Sequence, residues 1–216
     1  MNQALVKLIP AIISAVVERG GYVTKTKLLK LLYLFDVEYY RLFRKTFTEL
    51  DWKFFHLGPW TAEYDAVISS LVELGDVEQY SSQKSEYDTQ FFRTPEERDF
   101  SKLFPTFAEE APLRTVLNAW ADATTGEILD HVYFRTEPME HGIRNARLDF
   151  SYIPQGQPLR YARSSSGTEA KQIKRLRERV RARLAGSGEK KTFTFTPPRY
   201  DELFESEMSR LEEKRD

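Results

Sequence analysis

The fold is decided by VTKTKLLKLLYLFDVEYYRLFRKTFTELDWKFFHLGPW, residues 23–60 of the chain. At 3.6 residues per turn, the first part of this stretch forms a helix with apolar side chains around most of its circumference. These side chains are Leu28, Leu29, Leu32, Tyr33, Phe35, Tyr39, Tyr40, Leu42 and Phe43. The narrow polar stripe that remains consists of Lys27, Lys30, Glu38, Arg41 and Lys45. A helix this apolar is predicted to lie at the centre of a domain, and Thr24 is placed to cap its start.

Asp36 departs from this pattern, because it falls within the apolar arc of the helix. A buried carboxylate needs a cation or several hydrogen-bond donors. We expect a Trp or His N–H, a backbone amide or an Arg side chain to hold it, and we expect it to fix the loop at residues 56–59. The alternative is a catalytic acid, but no second group of matching chemistry is nearby in the sequence.

Composition predicts a folded, soluble protein. The 216 residues include 15 Phe, 11 Tyr and 3 Trp, and 30% of them are charged. The net charge of -1 argues against a globally basic nucleic-acid binder but leaves room for a local basic patch. Because cysteine is absent, a disulfide framework and a thiolate metal site are excluded. The apolar run Leu8–Val17 is too short to span a bilayer, so we expect no membrane partner and a cytoplasmic location.

Outside the central stretch, periodicity predicts more helices and one hairpin. Apolar positions between residues 3 and 19 have helical spacing, and Gly20-Gly21 joins this helix to the central one in a helix-turn-helix-like unit. Aromatic alternation predicts a short strand at 52–56, and Gly58-Pro59 predicts a turn. The later elements are a helix after Thr61, a hairpin of strands 77–80 and 87–93, and short helices from Pro95, around Pro112 and after Gly126. The predicted fold class is mainly α (α+β): a compact helical domain with a small β-hairpin and a helical C-terminal extension.

The composition changes after the predicted domain, which we place at residues 1–151. Residues 152–216 form a charged C-terminal extension with a basic amphipathic helix at about 168–185 and an acidic helix at about 200–214. The candidate contacts on the basic helix are Lys174, Arg175, Arg177 and Arg181. We expect the extension to engage a partner, either a protein or, through the basic helix, a nucleic acid.

Two motifs resemble those of the Panacea or SocA-like antitoxin domain. The first runs from Lys27 to Asp36, and the second runs from Val132 to Met139. The first motif is followed by Trp52, His56, Gly58 and Pro59. The resemblance extends over roughly residues 5–150 of this sequence.

The chain departs from the family pattern at three places. An extra Leu57 separates His56 from Gly58, Trp60 stands where the family often has Val, and Met139 stands where many members have Trp. The family consists largely of antitoxins encoded beside unrelated small toxins, some of them on phages, and these antitoxins bind the toxin or deliver it to a protease. The resemblance therefore implies protein binding without a cofactor, with a cognate toxin and a protease or chaperone as partners.

The residues that we single out as a partner-binding surface lie in or beside the two motifs. They are Tyr33, Asp36, Trp52, His56, Gly58, Pro59, Trp60, Thr136, Glu137, Pro138 and Met139. On this interpretation, Asp36 meets both later segments at the edge of one pocket or toxin-contact surface. The alternative is that both segments are turns, with Thr136 or Glu137 capping backbone amides.

No catalytic residue or metal ligand is predicted. The three histidines, His56, His131 and His141, are scattered and match no metal-binding spacing. No glycine-rich phosphate loop or nucleophile elbow occurs in the sequence. An enzyme that uses Asp36 and His56 is therefore only the third function that we consider.

The second function is a winged-helix DNA-binding regulator of phage or mobile-element origin. A helix pair followed by a hairpin is the element order of a winged helix. Its phosphate contacts would come from the basic helix of the extension or from the central helix. The cations of the central helix are Lys27, Lys30, Arg41 and Lys45. A solvated face is the usual explanation of such a stripe.

Overall fold

The computed structural model describes residues 2–55, 58–81 and 90–156 of the chain. In chain order its elements are α1 (Gln3–Glu18), β1 (Val23–Thr24), α2 (Lys25–Phe43), β2 (Lys53–Phe55), β3 (Gly58–Trp60), α3 (Ala62–Glu73), β4 (Glu78–Ser81), β5 (Gln90–Arg93), a 3-10 turn (Phe100–Leu103), α4 (Phe107–Trp120), α5 (Thr125–Arg135), α6 (Glu137–Glu140) and a second 3-10 turn (Phe150–Tyr152). The prediction of a mainly α fold with a small antiparallel sheet is confirmed.

The centre of the domain is α2, as predicted. Every residue from Lys27 to Tyr39 is buried, and the helix packs against α1, α4 and α5. Thr24 caps the helix, since its hydroxyl oxygen accepts the backbone N–H of Lys27 at 3.1 Å. Arg44 ends it in the left-handed conformation, with φ of 57°, so the chain reverses at once and returns along the helix.

The polar stripe of α2 is buried, so the expectation of a solvated face was wrong. The buried members of the stripe are Lys27, Lys30, Glu38 and Arg41. Lys45, beyond the helix end, is exposed. Lys27 shows why burial is tolerated, since its ammonium donates to the carbonyl oxygens of Ala121 and Ala123, each at 2.7 Å, at the negative end of α4. Because these side chains are enclosed, the stripe does not present a basic face to the phosphates of a nucleic acid.

A three-stranded antiparallel sheet covers one side of the helices in the order β1-β5-β4. The hairpin strands β4 and β5 were predicted, but β1 was not, because two residues carry no alternation pattern. The separate ribbon β2–β3 pairs Phe55 with Gly58 and Lys53 with Trp60. Gly58-Pro59 was predicted as a turn, but it belongs to β3, where Gly58 adopts φ of 93° and begins the return strand.

Two helix starts predicted from proline were wrong. Residues 95–99 are irregular, and only the 3-10 turn at Phe100–Leu103 follows, capped by the Asp99 side chain. α4 begins well before Pro112, because Thr106 caps it through the backbone N–H of Glu109. In both segments a capping side chain, and not the proline, sets the first residue of the helix.

Several predictions fall on residues outside the described ranges. They are His56, the connection between the hairpin strands, the basic helix at 168–185 with Lys174, Arg175, Arg177 and Arg181, and the acidic helix at 200–214. The domain boundary at residue 151 stays a prediction, and the described chain remains packed slightly beyond it. Ile153 is buried, and the backbone N–H of Gly156 donates to the carbonyl oxygen of Arg41 at 3.1 Å. Within the described part, no helix combines the length and apolar character needed to cross a membrane.

Candidate functional site

The first motif places the fully buried carboxylate of Asp36 against the returning chain. One carboxylate oxygen accepts the backbone N–H groups of Phe47 at 2.9 Å and Thr48 at 3.0 Å. The other oxygen accepts a hydrogen bond from the Trp52 indole Nε1–H at 2.8 Å and another from the Thr48 hydroxyl. The predicted Trp and backbone donors are thus confirmed. The loop that Asp36 fixes is 47–52 and not 56–59, because the chain reversal after α2 brings this nearer segment back to the helix.

Burial raises the pKa of Asp36 to about 6, although all its hydrogen bonds act in the opposite direction by favouring the charged form. At neutral pH the group is therefore mostly ionised. Both oxygens are occupied by donors from the protein itself. Such a carboxylate anchors a loop and leaves no position for a substrate.

Tyr33 connects the Asp36 anchor to the second motif. Its ring packs edge-on against Trp52, with 5.4 Å between the ring centroids. Its hydroxyl lies 3.1 Å from Thr136 Oγ1, and the Thr136 hydroxyl donates to the carbonyl oxygen of Val132 at 2.6 Å. Because the Thr136 proton is used in that bond, Tyr33 is the donor between the two hydroxyls. Burial raises the pKa of Tyr33, so its proton stays in place at all physiological pH values.

Arg41 makes the second connection between α2 and the second motif. Its guanidinium donates to both carboxylate oxygens of Glu137, at 2.8 and 3.0 Å, in the two-pronged geometry that suits this pair. Glu38, one turn earlier on the same helix, lies 3.6 Å from Arg41 Nε. The side chains of Arg41 and Glu38 are buried, whereas the side chain of Glu137 is 24% exposed. The outer face of this ion pair is thus reached from solvent.

The structure brings five of the predicted site residues into one continuous network. They are Asp36, Trp52, Tyr33, Thr136 and Glu137, and Arg41 closes the network from α2. Pro138 and Met139 are buried behind it. Gly58, Pro59 and Trp60 lie apart from it, around Lys30. The network is mostly enclosed, so its role is to hold the surface residues around it in place. That its partly exposed members contact a partner stays a prediction.

Two grooves flank these segments. The larger, of about 670 Å³, lies between the loop after α2 and residues 147–151, and Trp52 forms part of its wall. Its rim carries charges of both signs, from Lys45 and Arg147 on one hand and Glu49 and Asp149 on the other. The smaller groove lies between α2, the β2–β3 ribbon and α3.

The described residues offer little for covalent or metal chemistry. No three His, Asp or Glu side chains within ranges 2–55, 58–81 and 90–156 are grouped so that they could hold a metal ion. His131 packs against Trp120, with ring centroids 4.7 Å apart, and burial lowers its pKa to about 4. This histidine is therefore neutral at physiological pH and lies half-buried against the core residue Trp120.

Sequence reasoning missed Thr48 and Lys30 as members of these sites. Thr48 lies in a polar stretch where a hydroxyl is unremarkable, so no local signal identified it. Lys30 did carry a signal, since Leu28-Leu29 precede it and Leu31-Leu32 follow it on an otherwise apolar helix. A lysine in such surroundings is enclosed unless its long side chain extends far enough to bring the ammonium into water.

Comparison with known proteins agrees with the two motifs. A family model described as antitoxin SocA-like, Panacea domain, matches residues 28–140, which is just over half of the chain. Among curated proteins and among solved structures, nothing matches significantly. The matched range contains most of α2, the Asp36 anchor, the network to Glu137 and part of each groove. The chain therefore belongs to the SocA-like antitoxin family that is defined by the Panacea domain.

Proposed function

We propose that this protein is an antitoxin that binds a cognate protein toxin and neutralises it by covering the toxin's active surface. The observation that carries the proposal is the family match over residues 28–140. A cytoplasmic, phage-associated toxin–antitoxin pair, with delivery of the bound toxin to a protease or chaperone, belongs to the same proposal.

The geometry of the motifs supports a binding role. The side chains of Tyr33, Asp36, Thr136 and Glu137 are all bonded within the domain, and these bonds fix the loop 47–52 and the turn 136–140 against α2. Rigid segments of this kind present a surface to a partner with little loss of conformational entropy on binding. The partner-contacting groups are then the exposed side chains beside the network.

Exposed apolar side chains occur within and shortly after the second motif. Phe134 lies within the motif and is 69% exposed, and Ile143 and Tyr152 follow the motif in sequence and are also exposed. Exposed aromatic and aliphatic anchors of this type contribute most of the affinity in protein interfaces. We therefore assign the toxin contact to the surface around residues 134–152.

The direct experiment identifies a small reading frame beside this gene and co-expresses its product with this chain. If the proposal holds, the neighbouring protein arrests growth alone, growth is restored by this chain, and the two proteins co-elute as a complex. The variant Phe134→Ala should weaken the complex and reduce the rescue. Its matched control is Phe107→Ala, because Phe107 is 70% exposed on α4, away from the motif in sequence. A folded protein that neither binds the neighbour nor restores growth would contradict the proposal.

A winged-helix DNA-binding regulator remains the second candidate, because one observation favours it. With the β2–β3 ribbon inserted between α2 and α3, the remaining order α1-β1-α2-α3-β4-β5, in which β1 pairs with β5, is the topology of a winged helix. In that topology α3 takes the position of the recognition helix. However, α3 has Glu63, Asp65 and Glu73 and no Lys or Arg, so it would repel phosphates. DNA affinity that falls steeply with added salt would favour this candidate over the first.

A further inference from the structure

The smaller groove, of about 290 Å³, has an apolar wall and an enclosed cation. It is bordered by α2, the β2–β3 ribbon and α3. Its wall includes Leu29, Phe55, Trp60 and Tyr64, and the rings of Phe55 and Trp60 lie 5.3 Å apart. Lys30 also lines the groove. A volume near the lower limit of ligand pockets suits one amino-acid residue or a molecule of that size.

Lys30 has no counter-charge among the described residues. Its side chain is 2% exposed, and its ammonium donates to the carbonyl oxygen of Pro59 at 2.7 Å, next to the groove-lining residues Gly58 and Trp60. Pro59 is its one hydrogen-bonding partner among the described residues, and no described carboxylate pairs with it. Burial lowers its pKa to about 7. An enclosed ammonium with unused donors is a site for an anion.

The other charges at the groove are already neutralised. Lys25 and Asp65 on its edge form an ion pair at 2.8 Å. Tyr64 donates its hydroxyl proton to the carbonyl oxygen of Lys25 at 3.0 Å, and burial raises the pKa of Tyr64 well above its usual value. Of the charges that the described residues place at the groove, that of Lys30 is therefore the one left for a ligand.

We propose that this groove binds the C-terminal residue of a partner polypeptide, with the terminal carboxylate on Lys30 and an apolar side chain between the aromatic rings. The choice of a polypeptide as the source of the carboxylate rests on the proposed function. A chain terminus carries a carboxylate and an apolar side chain on the same Cα, which matches a groove where a cation adjoins aromatic rings. Capture of a terminal carboxylate is an established mode of peptide recognition.

Binding by this geometry depends on pH with a defined sign. The carboxylate must be ionised and Lys30 must be protonated, so affinity is greatest at about pH 5–6 and falls as the pH rises through about 7. The bound anion favours the ammonium form, so it raises the pKa of Lys30. His56 is a neighbour of the groove in sequence but lies outside the described residues. For this reason the pKa of Lys30 itself has to be measured.

The test uses the full chain with 13Cε-labelled lysine and three probes. The first probe is the peptide acetyl-Gly-Gly-Phe with a free carboxylate, the second is the same peptide as its C-terminal amide, and the third is 3-phenylpropionate. NMR titration gives the affinity of each probe and the pKa of Lys30 with and without it. We expect the free-acid peptide to bind about ten- to a hundred-fold more tightly than the amide, which is the usual range for a hydrogen-bonded charge. We also expect the free-acid peptide to raise the pKa of Lys30.

The variant Lys30→Met should lower the affinity for the acid peptide to that of the amide. Lys25→Met is the matched control, since Lys25 lies on the groove edge and is already paired with Asp65. Equal affinity of the acid and amide peptides, or an unchanged pKa of Lys30, would overturn the proposal without a need for either variant. Equal affinity of 3-phenylpropionate and the peptide would also overturn it, because the groove would then be a site for small acids. If these peptide-binding tests fail but this chain still restores growth in the presence of the toxin, the proposed antitoxin function is retained and only the groove proposal is rejected.

Discussion

Replacement of Thr48 by valine tests the Asp36 anchor with little change of shape. The substitution exchanges a hydroxyl for a methyl group at a site that is 1% exposed. It removes the hydroxyl bond to Asp36 and keeps the backbone bond from the same residue. A weak contact, in which the hydroxyl oxygen accepts the backbone N–H of Leu50 at 3.4 Å, is also lost. The change therefore isolates one hydrogen bond to a buried charge.

The expected cost follows from the charge state of Asp36. A hydrogen bond to a charged group contributes about 1.5–3 kcal/mol, so we expect the free energy of unfolding to fall by about 2 kcal/mol at neutral pH. Because the pKa of Asp36 is about 6, the carboxyl is mostly protonated in the folded protein near pH 5. A hydrogen bond between neutral groups contributes only about 0.5–1.5 kcal/mol, so the cost should be roughly halved at about pH 5.

The sign of the pH dependence is fixed by the raised pKa. Folded Asp36 binds its proton more tightly than unfolded Asp36, so its stabilising effect is complete below about pH 4 and is lost as the pH rises through about 6. In Thr48→Val the charged form loses a donor, which raises the pKa of Asp36 further. The loss of stability with rising pH should therefore extend about one pH unit higher in the variant.

Urea denaturation at about pH 5 and about pH 8 measures both effects, and thermal unfolding should show a midpoint about 4–8 °C lower at neutral pH. The matched control is Thr46→Val, since Thr46 lies two residues away in the same loop and is half-buried. A variant at position 48 as stable as the control, or a cost that is the same at both pH values, would refute the assignment of a charged anchor.

Three substitutions elsewhere test the remaining supports of the two motifs. Tyr33→Phe should lower the free energy of unfolding by about 1 kcal/mol in urea denaturation, because Thr136 loses a buried donor; an unchanged stability would contradict a stabilising role for that bond. Glu137→Gln should lower the free energy of unfolding by about 1–3 kcal/mol, because buried Arg41 loses a charged partner. If this loss disappears when Arg41 is also replaced by Met, the pairing is confirmed. Gly58→Ala should cost about 1–3 kcal/mol, because φ of 93° is unfavourable for a side chain, and a thermal midpoint equal to that of wild type would show that β3 adjusts freely.

The position of α2 and the inward carboxylate of Asp36 could be predicted because both follow from helical spacing alone. The same reasoning gave a Trp N–H and a backbone amide as the donors, since a buried carboxylate requires such groups. Thr48 could not be predicted, because its place depends on the chain reversal at Arg44, where a non-glycine residue takes the left-handed conformation. Such a conformation leaves little trace in a sequence.

The buried lysines show a second limit of sequence patterns. A lysine stripe normally indicates solvent, but Lys27 and Lys30 each point toward backbone carbonyls that arrive from other elements. Those carbonyls belong to alanines at the end of α4 and to Pro59, and a carbonyl is present at every residue whatever its type. Composition and spacing therefore carry no information about such acceptors, and only the tertiary arrangement reveals them.

The helix α2 is covered by segments that are translated much later, and this order affects folding during synthesis. The ammonium of Lys27 bonds to the carbonyl oxygen of Ala121, 94 residues later in the chain, and the hydroxyl of Tyr33 bonds to that of Thr136, 103 residues later. On the ribosome, the leucine-rich helix therefore emerges long before the segments that seal it. During that interval its surface is a target for chaperones and for aggregation, and folding is completed only after the second motif has been translated. The toxin binding that we propose would therefore begin only after most of the domain has been translated.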